Sequence, residues 1–352
     1  MSDKIHYFEG ANITPEPLLL AAGKIPMKII GNSKEEPTLA DAHVPSTHCF
    51  FARSSLNEGL KGLPDLAGIV VSHTCDCTNR QYDIWEANVD TPFIHWLNVP
   101  IHRDEPAKKF YRKEILHLKT ALEKQFNIEI TDEAIRQAIK EVNRNKRALQ
   151  ELSAFRKTGQ LKYSEMLLDV IAATTGKVWA DSNYLPNRIE EVKNRQAEEL
   201  ELRTLLTGSI VTDPLLPSML EECGFSIVRD DLKLGESYYR VLYDEELDPI
   251  DALVEYPFSI PTYNNVNPPD PKVKELHEVL ESEEIQCLIN QVMEYCEPML
   301  FDSVFLEKKA KQMGIPYLFV DRGFQNSTIS SLRTKFEAFA EMVRGNKEEA
   351  KN

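Results

Sequence analysis

The chain has 352 residues, 42% of them hydrophobic and 28% charged, with 41 basic against 56 acidic side chains for a formal charge of −15. That length leaves room for two or three domains with their own cores. The acidic balance argues against wrapping nucleic acid, which needs clustered Lys and Arg, and no apolar run approaches the roughly 18 residues that cross a bilayer. The first residues, M-S-D-K-I-H-Y-F-E, lack the basic region and apolar core of a secretion signal. The expectation is a cytoplasmic protein whose six cysteines, at 49, 75, 77, 223, 287 and 296, stay reduced. No pair of C-x-x-C motifs marks a zinc ribbon.

In chain order, a helix is expected over 15–23 and a short strand over 26–30, followed by a polar loop over 34–45. Cys49 stands just ahead of a helix predicted over 53–61. Gly62-Leu63-Pro64 ends it, and an apolar, β-branched strand follows at Leu66–Val71. That strand breaks into a polar loop, S-H-T-C-D-C-T-N-R, carrying His73, Cys75, Asp76 and Cys77. Another strand is expected over 93–99. Strands alternating with helices at this spacing predict a doubly wound parallel sheet.

From Glu105 the period changes to that of helices. Ile115, Leu118 and Leu122 mark one over 108–127. Thr131 is positioned as the N-cap of the next, which carries Ile135, Ile139, Val142, Leu149 and Leu152 on one face as far as about Lys157. Further helices are expected over 163–174 and 189–201. The α/β rhythm then returns, with strands over 203–206, 225–228, 287–292 and 317–320. Helices are expected over 215–223, 272–282, 303–313 and about 330–344, with a Pro-rich loop over 264–271. The reading is α/β: two doubly wound, flavodoxin- or Rossmann-like parallel-sheet domains with a helical insertion, divided as 1–104, 105–202 and 203–352. The halves share a rhythm but no sequence repeat.

Cys75 and Cys296 follow predicted strand ends, one in each half, and Cys49 precedes a predicted helix. Ligands of open α/β sheets bind beyond the carboxyl ends of the strands, so these thiols could meet between the halves. Three thiolates would leave one iron of a [4Fe–4S] cluster open, and an open position marks a catalytic rather than a structural metal site. A buried cysteine is also commonly just a small hydrophobe, and spacing alone leaves both readings standing.

Across nearly its whole length the sequence resembles the smaller subunit of the 2-hydroxyacyl-CoA dehydratase and benzoyl-CoA reductase family. The stretches that carry the resemblance are C-F-F-A-R-S-S-L-N-E-G-L at Cys49, D-L-A-G-I-V-V-S-H-T-C-D at Cys75 and T-D-E-A-I-R-Q-A-I-K-E-V-N-R-N-K-R in the middle. E-E-C-G-F-S-I-V-R-D-D-L-K-L-G, M-E-Y-C-E-P at Cys296, G-I-P-Y-L-F-V-D and S-L-R-T-K-F-E-A-F-A-E-M follow. Each is moderately specific; their order and spacing are strongly so.

The resemblance implies that Cys49, Cys75 and Cys296 bind one [4Fe–4S] cluster with one iron open. It implies a low-potential electron passed to an acyl-CoA thioester as a ketyl-type radical. In dehydratases that radical expels the 2-hydroxyl as water; in the aryl-CoA reductases the electron adds to a ring. It also implies a larger homologous partner subunit and a separate ATP-hydrolysing iron–sulfur activator as electron donor. Neither G-x-x-x-x-G-K-[ST] nor G-x-G-x-x-G occurs, so no ATP site is expected in this chain. A dehydratase subunit is the first expectation, an aryl-CoA reductase subunit the second, and a non-catalytic scaffold subunit the third.

Around these thiols, Arg53, Ser54 and His73 are weaker candidates. The first two open the helix after Cys49, where a helix start favours negative charge; His73 is placed to donate a hydrogen bond. Cys77 reads as packing beside the site, though chemically able to bind iron, and Asp76 as a loop acceptor. Arg333 and Thr334 rank below these. Cys223 and Cys287 read as core. The chain departs from the family pattern in D-D-L-x-x-G, where Lys233 and Ser237 replace the usual Cys and Arg, and this puts a close relative's substrate in doubt.

Overall fold

A computed structural model describes residues 3–260, 278–280, 284–322 and 329–351, without the side chains of 329–330 and 347–351. Two four-stranded parallel sheets form the frame. The first contains β1 (Lys4–Phe8), β2 (Ile25–Lys28), β3 (Leu66–Ser72) and β4 (Ile94–Leu97) in the order β2-β1-β3-β4. The second contains β5 (Leu202–Gly208), β6 (Phe225–Asp230), β7 (Cys287–Met293) and β8 (Tyr317–Arg322) in the order β6-β5-β7-β8. The same winding thus occurs twice. In each sheet the order reverses beside the first strand in sequence, creating a crevice between β1 and β3 and another between β5 and β7.

The strand sequences explain their placement. L-A-G-I-V-V-S and C-L-I-N-Q-V-M are nearly continuous apolar runs, and every residue of β7 is buried. A parallel strand covered on both faces has no solvent side to alternate towards. β8 is an edge strand, and there alternation appears, with Phe319 and Asp321 exposed between buried Val320 and Arg322. β1, K-I-H-Y-F, went unpredicted: five residues with two polar ones show too little period, and pairing with β2 and β3 decides the matter.

The helices are α1 (Glu16–Ala21), α2 (Phe50–Lys61), α3 (Asp76–Asn88), α4 (Glu105–Phe126), α5 (Asp132–Lys157), α6 (Tyr163–Thr174), α7 (Lys177–Ala180) and α8 (Tyr184–Lys193). Then come α9 (Leu215–Glu222), α10 (Glu236–Tyr239), α11 (Pro249–Ser259), α12 (Glu297–Gln312) and α13 (Ile329–Lys351). α5 begins as expected, with Thr131 Oγ1 accepting the Ala134 N–H at 3.2 Å. Three expectations need correction. The expected loop narrows to a turn over 73–75, and from Asp76 the segment is helix. The helix expected over 189–201 is α8, because Leu185, Ile189 and Val192 form its buried stripe while the Glu-rich stretch beyond is not helical and leads into β5. α12 starts at Glu297 rather than Ser303, since Pro298 sits in its first turn, where a missing N–H costs nothing. The Pro-rich loop and the helix expected over 272–282 lie outside the described residues, apart from helical 278–280.

The largest buried cluster draws Phe8 and Ile69 from the first sheet, Leu149 and Leu152 from α5, and Leu206 and Ile289 from the second sheet. A second cluster joins Ile5 and Val70 to Ile115, Leu118 and Ile135 on α4 and α5. The middle helices therefore cement the two sheets, and the carboxyl ends of β1, β3, β5 and β7 contribute to one shared pocket.

Candidate functional site

Cys49, Cys75 and Cys296 occupy the same local position: each is the N-cap residue of a helix, of α2, α3 and α12 respectively. Cys75 follows β3 by a three-residue turn. There Thr78 Oγ1 accepts the N–H of Thr74 at 3.0 Å and of Cys75 at 2.9 Å and donates to the Cys75 carbonyl at 2.7 Å. This capping arrangement satisfies donors that a helix start otherwise leaves orphaned. Cys296 follows β7 after Tyr295, whose φ of 62° turns the chain sharply into α12.

The three thiols line one pocket, together with Cys77. Its walls come from the strand ends: Phe8 and Gly10 from β1, Gly208 and Ser209 from β5, Met293 and Tyr295 from β7. Gly208 has φ 120°, and a Cβ there would lie 1.8 Å from the Gln291 carbonyl oxygen, so the close approach of β5 to β7 at the pocket requires glycine. Lys233 is the one charged residue among the described lining residues.

The sulfurs are neighbours in a chain. The thiols of Cys49 and Cys75 are among the neighbours that shift Cys77, and those of Cys75 and Cys77 act in turn on Cys296. Cys77 is pushed up to about 11, first by the bond to Cys49. Cys75 lies well above the usual thiol value because of Cys77 and burial, and Cys296 is raised by burial against an opposing bond from the Ser209 hydroxyl. Helix N-termini favour thiolates, but here burial and thiol–thiol contact win, so these three sulfurs stay protonated at neutral pH. A metal group would have to displace those protons. Among the described residues no three His, Cys, Asp or Glu side chains close around a single ion. Ligands to a multi-iron cluster attach to different irons and stand further apart, so this spacing disfavours a mononuclear site specifically.

The weaker candidates lie elsewhere. Arg53 is held by Asp41 at 2.5 Å and by the Ser46 carbonyl at 3.3 Å, and Ser54 Oγ bridges the N–H and carbonyl of Asn32 at 2.7 and 3.1 Å. His73 stacks on Trp96 at 5.9 Å. None of the three lines the pocket. Asp76 is exposed in the first turn of α3, and Arg333 pairs with Glu222. Cys223 and Cys287 are buried in the main core. Ser237 accepts from Asn12 Nδ2 at 2.9 Å, which also binds the Lys233 carbonyl at 2.9 Å. Ser209, which lines the pocket and accepts the Met293 N–H at 2.9 Å, escaped the sequence reading. Its signal was T-G-S after an apolar strand, where a glycine marks close backbone approach.

Comparison with known proteins identifies the family. The family model for the 2-hydroxyglutaryl-CoA dehydratase D-component matches residues 12–343. The (R)-phenyllactyl-CoA dehydratase beta subunit of Clostridium sporogenes is 25% identical, over 94% of this chain and 89% of that protein. A benzoyl-CoA reductase subunit of Thauera aromatica is 23% identical over 94% and 88%. The (R)-2-hydroxyglutaryl-CoA dehydratase beta subunit of Acidaminococcus fermentans is 23% identical over 94% and 90%. The match takes in the span from α1 to α13, leaving out β1, and the chain belongs to the 2-hydroxyglutaryl-CoA dehydratase D-component family.

Proposed function

We propose that this chain is the iron–sulfur subunit of a 2-hydroxyacyl-CoA dehydratase, with Cys49, Cys75 and Cys296 holding a [4Fe–4S] cluster that keeps one iron for a non-protein ligand. The observation that carries the proposal is the convergence of three N-cap thiols, from three separate helices, on one pocket. The donor set fits the group. It is all soft sulfur, and no carboxylate or imidazole competes among the described lining residues.

Such a cluster, when bound, supplies a low-potential electron to an acyl-CoA thioester so that the 2-hydroxyl leaves as water. The protein's own contributions are separate. The starts of α2, α3 and α12 aim their N–H dipoles at a group that would carry net negative charge. Phe8, Phe51, Ile210, Met293 and Met299 keep the pocket apolar. Lys233 adds a cationic residue to its wall, where the family pattern has Cys, and this favours an acyl group different from those of the relatives.

The relatives are named as single subunits of larger dehydratase and reductase assemblies. This chain accordingly works with a larger partner subunit and with a separate ATP-hydrolysing activator. α12 supports the partner assignment. It leaves Leu300, Phe301, Val304 and Phe305 between 41% and 67% exposed, one turn beyond Cys296. An apolar face of that kind marks an interaction surface more often than bare solvent contact.

Iron and acid-labile sulfide, measured after anaerobic purification with the partner subunit, test the proposal. About four of each per chain are expected, lost in Cys75→Ala; a folded wild-type chain without iron would overturn it. The relative named as part of a benzoyl-CoA reductase favours a second reading, an aryl-CoA reductase subunit with the same site. Catalytic electrons in turnover identify the dehydratase, stoichiometric consumption the reductase.

A further inference from the structure

The pocket holds a fourth thiol, Cys77, which packs against the main core and also lines the pocket wall. Cys77 stands in the first turn of α3, two residues beyond Cys75, half-buried and on the pocket wall. Its side chain lines the same pocket as those of Cys49 and Cys75, two of the three thiols that define the site. Cys223 and Cys287 belong to the same core but do not line the pocket, whereas Cys77, packed against that core, does. The donor inventory is equally one-sided. Besides the three N-cap cysteines, Cys77 is the remaining thiol among the described lining residues, and no Asp, Glu or His accompanies it.

A [4Fe–4S] cluster has four irons, each of which takes one outside ligand. Three thiolates leave one iron to be satisfied from elsewhere. A thiol on the same pocket wall, two residues from Cys75, is the remaining soft donor for it. Loop mobility need not be invoked, because the capping bonds of Thr78 fix the turn that carries both Cys75 and Cys77.

We infer that Cys77 is a fourth thiolate ligand of this site, capping in the resting protein the iron that the other three cysteines leave open. The inference rests on the cluster proposed above and extends it. The position meant for substrate is guarded by the protein itself and becomes available only when Cys77 lets go.

The test is Mössbauer spectroscopy of the full chain, loaded anaerobically with ⁵⁷Fe and sulfide and then moved into thiol-free buffer without acyl-CoA. The wild type should show four irons in sulfur-only surroundings, unchanged on adding cyanide. Cys77→Ala should show one distinct iron per cluster that shifts with cyanide, and Cys77→Ser one iron with an oxygen-bearing environment. A distinct, cyanide-responsive iron already present in the wild type would overturn the assignment of Cys77 while leaving the three-cysteine cluster standing. That measurement needs no variant to fold. A wild-type chain that takes up no iron would overturn both.

Discussion

Arg156 lies inside α5 with a guanidinium that is fully buried, bonded to Asp230 Oδ2 at 2.8 Å, to Ser153 Oγ at 3.1 Å and to Glu236. Asp230 in turn accepts the N–H groups of Leu232 at 3.1 Å and Glu236 at 2.9 Å, shaping the loop that carries Lys233 to the pocket. Burial raises Glu236 to about 6 despite the arginine. Removing the cation would strand two buried carboxylates, and that is costlier than a missing contact. Arg156→Met should lose about 3–5 kcal/mol in urea unfolding. His6 and His95 give a pH signature. Burial first, with Lys4 and His117 respectively adding to it, lowers both to about 4 from 6.5, and a ring nitrogen of each lacks a partner. Between those values the unfolded chain binds protons that the native rings refuse. The stability they provide is complete above 6.5 and declines as pH falls towards 4, by up to about 3 kcal/mol for His6 and less for the more exposed His95. Denaturant titrations at pH 7 and pH 4.5 should show the loss, and His6→Gln should reduce it.

At the scale of elements, the turn between β3 and α3 is the most sensitive joint. Thr78→Val keeps the shape and deletes the hydroxyl that receives two N–H groups, a loss of about 1 kcal/mol in stability. It should also loosen Cys75, so that iron is lost faster to a chelator than from the wild type while the circular dichroism stays the same. This joint was also where the sequence was hardest to read. The strand L-A-G-I-V-V announced itself by its apolar run, but C-D-C-T-N-R-Q-Y combines residues with weak helix propensity. Its helical state comes from the cap and from Trp85 and Gln81 packing inward, with Trp85 Nε1 donating to Gln81 Oε1 at 2.7 Å. Cys49, Cys75 and Cys296 were legible as strand-end or pre-helix thiols, yet that each caps a helix was not. α10 and α11 passed unread as well. α11 depends on Asp248 accepting the Ile250 and Asp251 N–H groups at 3.1 and 3.4 Å, in a segment whose buried tyrosines belong to a tertiary network. Polar residues such as Lys146 and Arg156, at inward positions of α5, are invisible to a search for apolar periodicity.

For the whole molecule, the exposed face of α12 makes association measurable. Among the described residues no helix is long and apolar enough to cross a membrane, and α12 itself mixes its apolar face with Glu307, Lys308, Lys309 and Lys311. Phe301→Glu combined with Val304→Glu should reduce co-purification with the partner subunit at least tenfold while leaving iron per chain unchanged. Equal recovery would place the partner on another face. The two sheets are also joined by a dry polar seam. Glu9 pairs with Lys28 at 3.1 Å, both side chains at most 1% exposed, and holds the Ile13 and Thr14 N–H groups at 2.8 and 2.7 Å. From that segment Asn12 reaches the Lys233 carbonyl and Ser237, and Glu16 accepts the Tyr238 hydroxyl at 3.0 Å. Opening the molecule like a book would leave the Glu9–Lys28 pair intact but tear the Asn12 and Glu16 bonds to the second half, a cost of about 1 kcal/mol for each bond lost. The halves consequently behave as a single casting. Bonds that stitch the segment after β1 to the loop after β6 favour entry to the pocket past individual side chains over entry by a hinge between the halves.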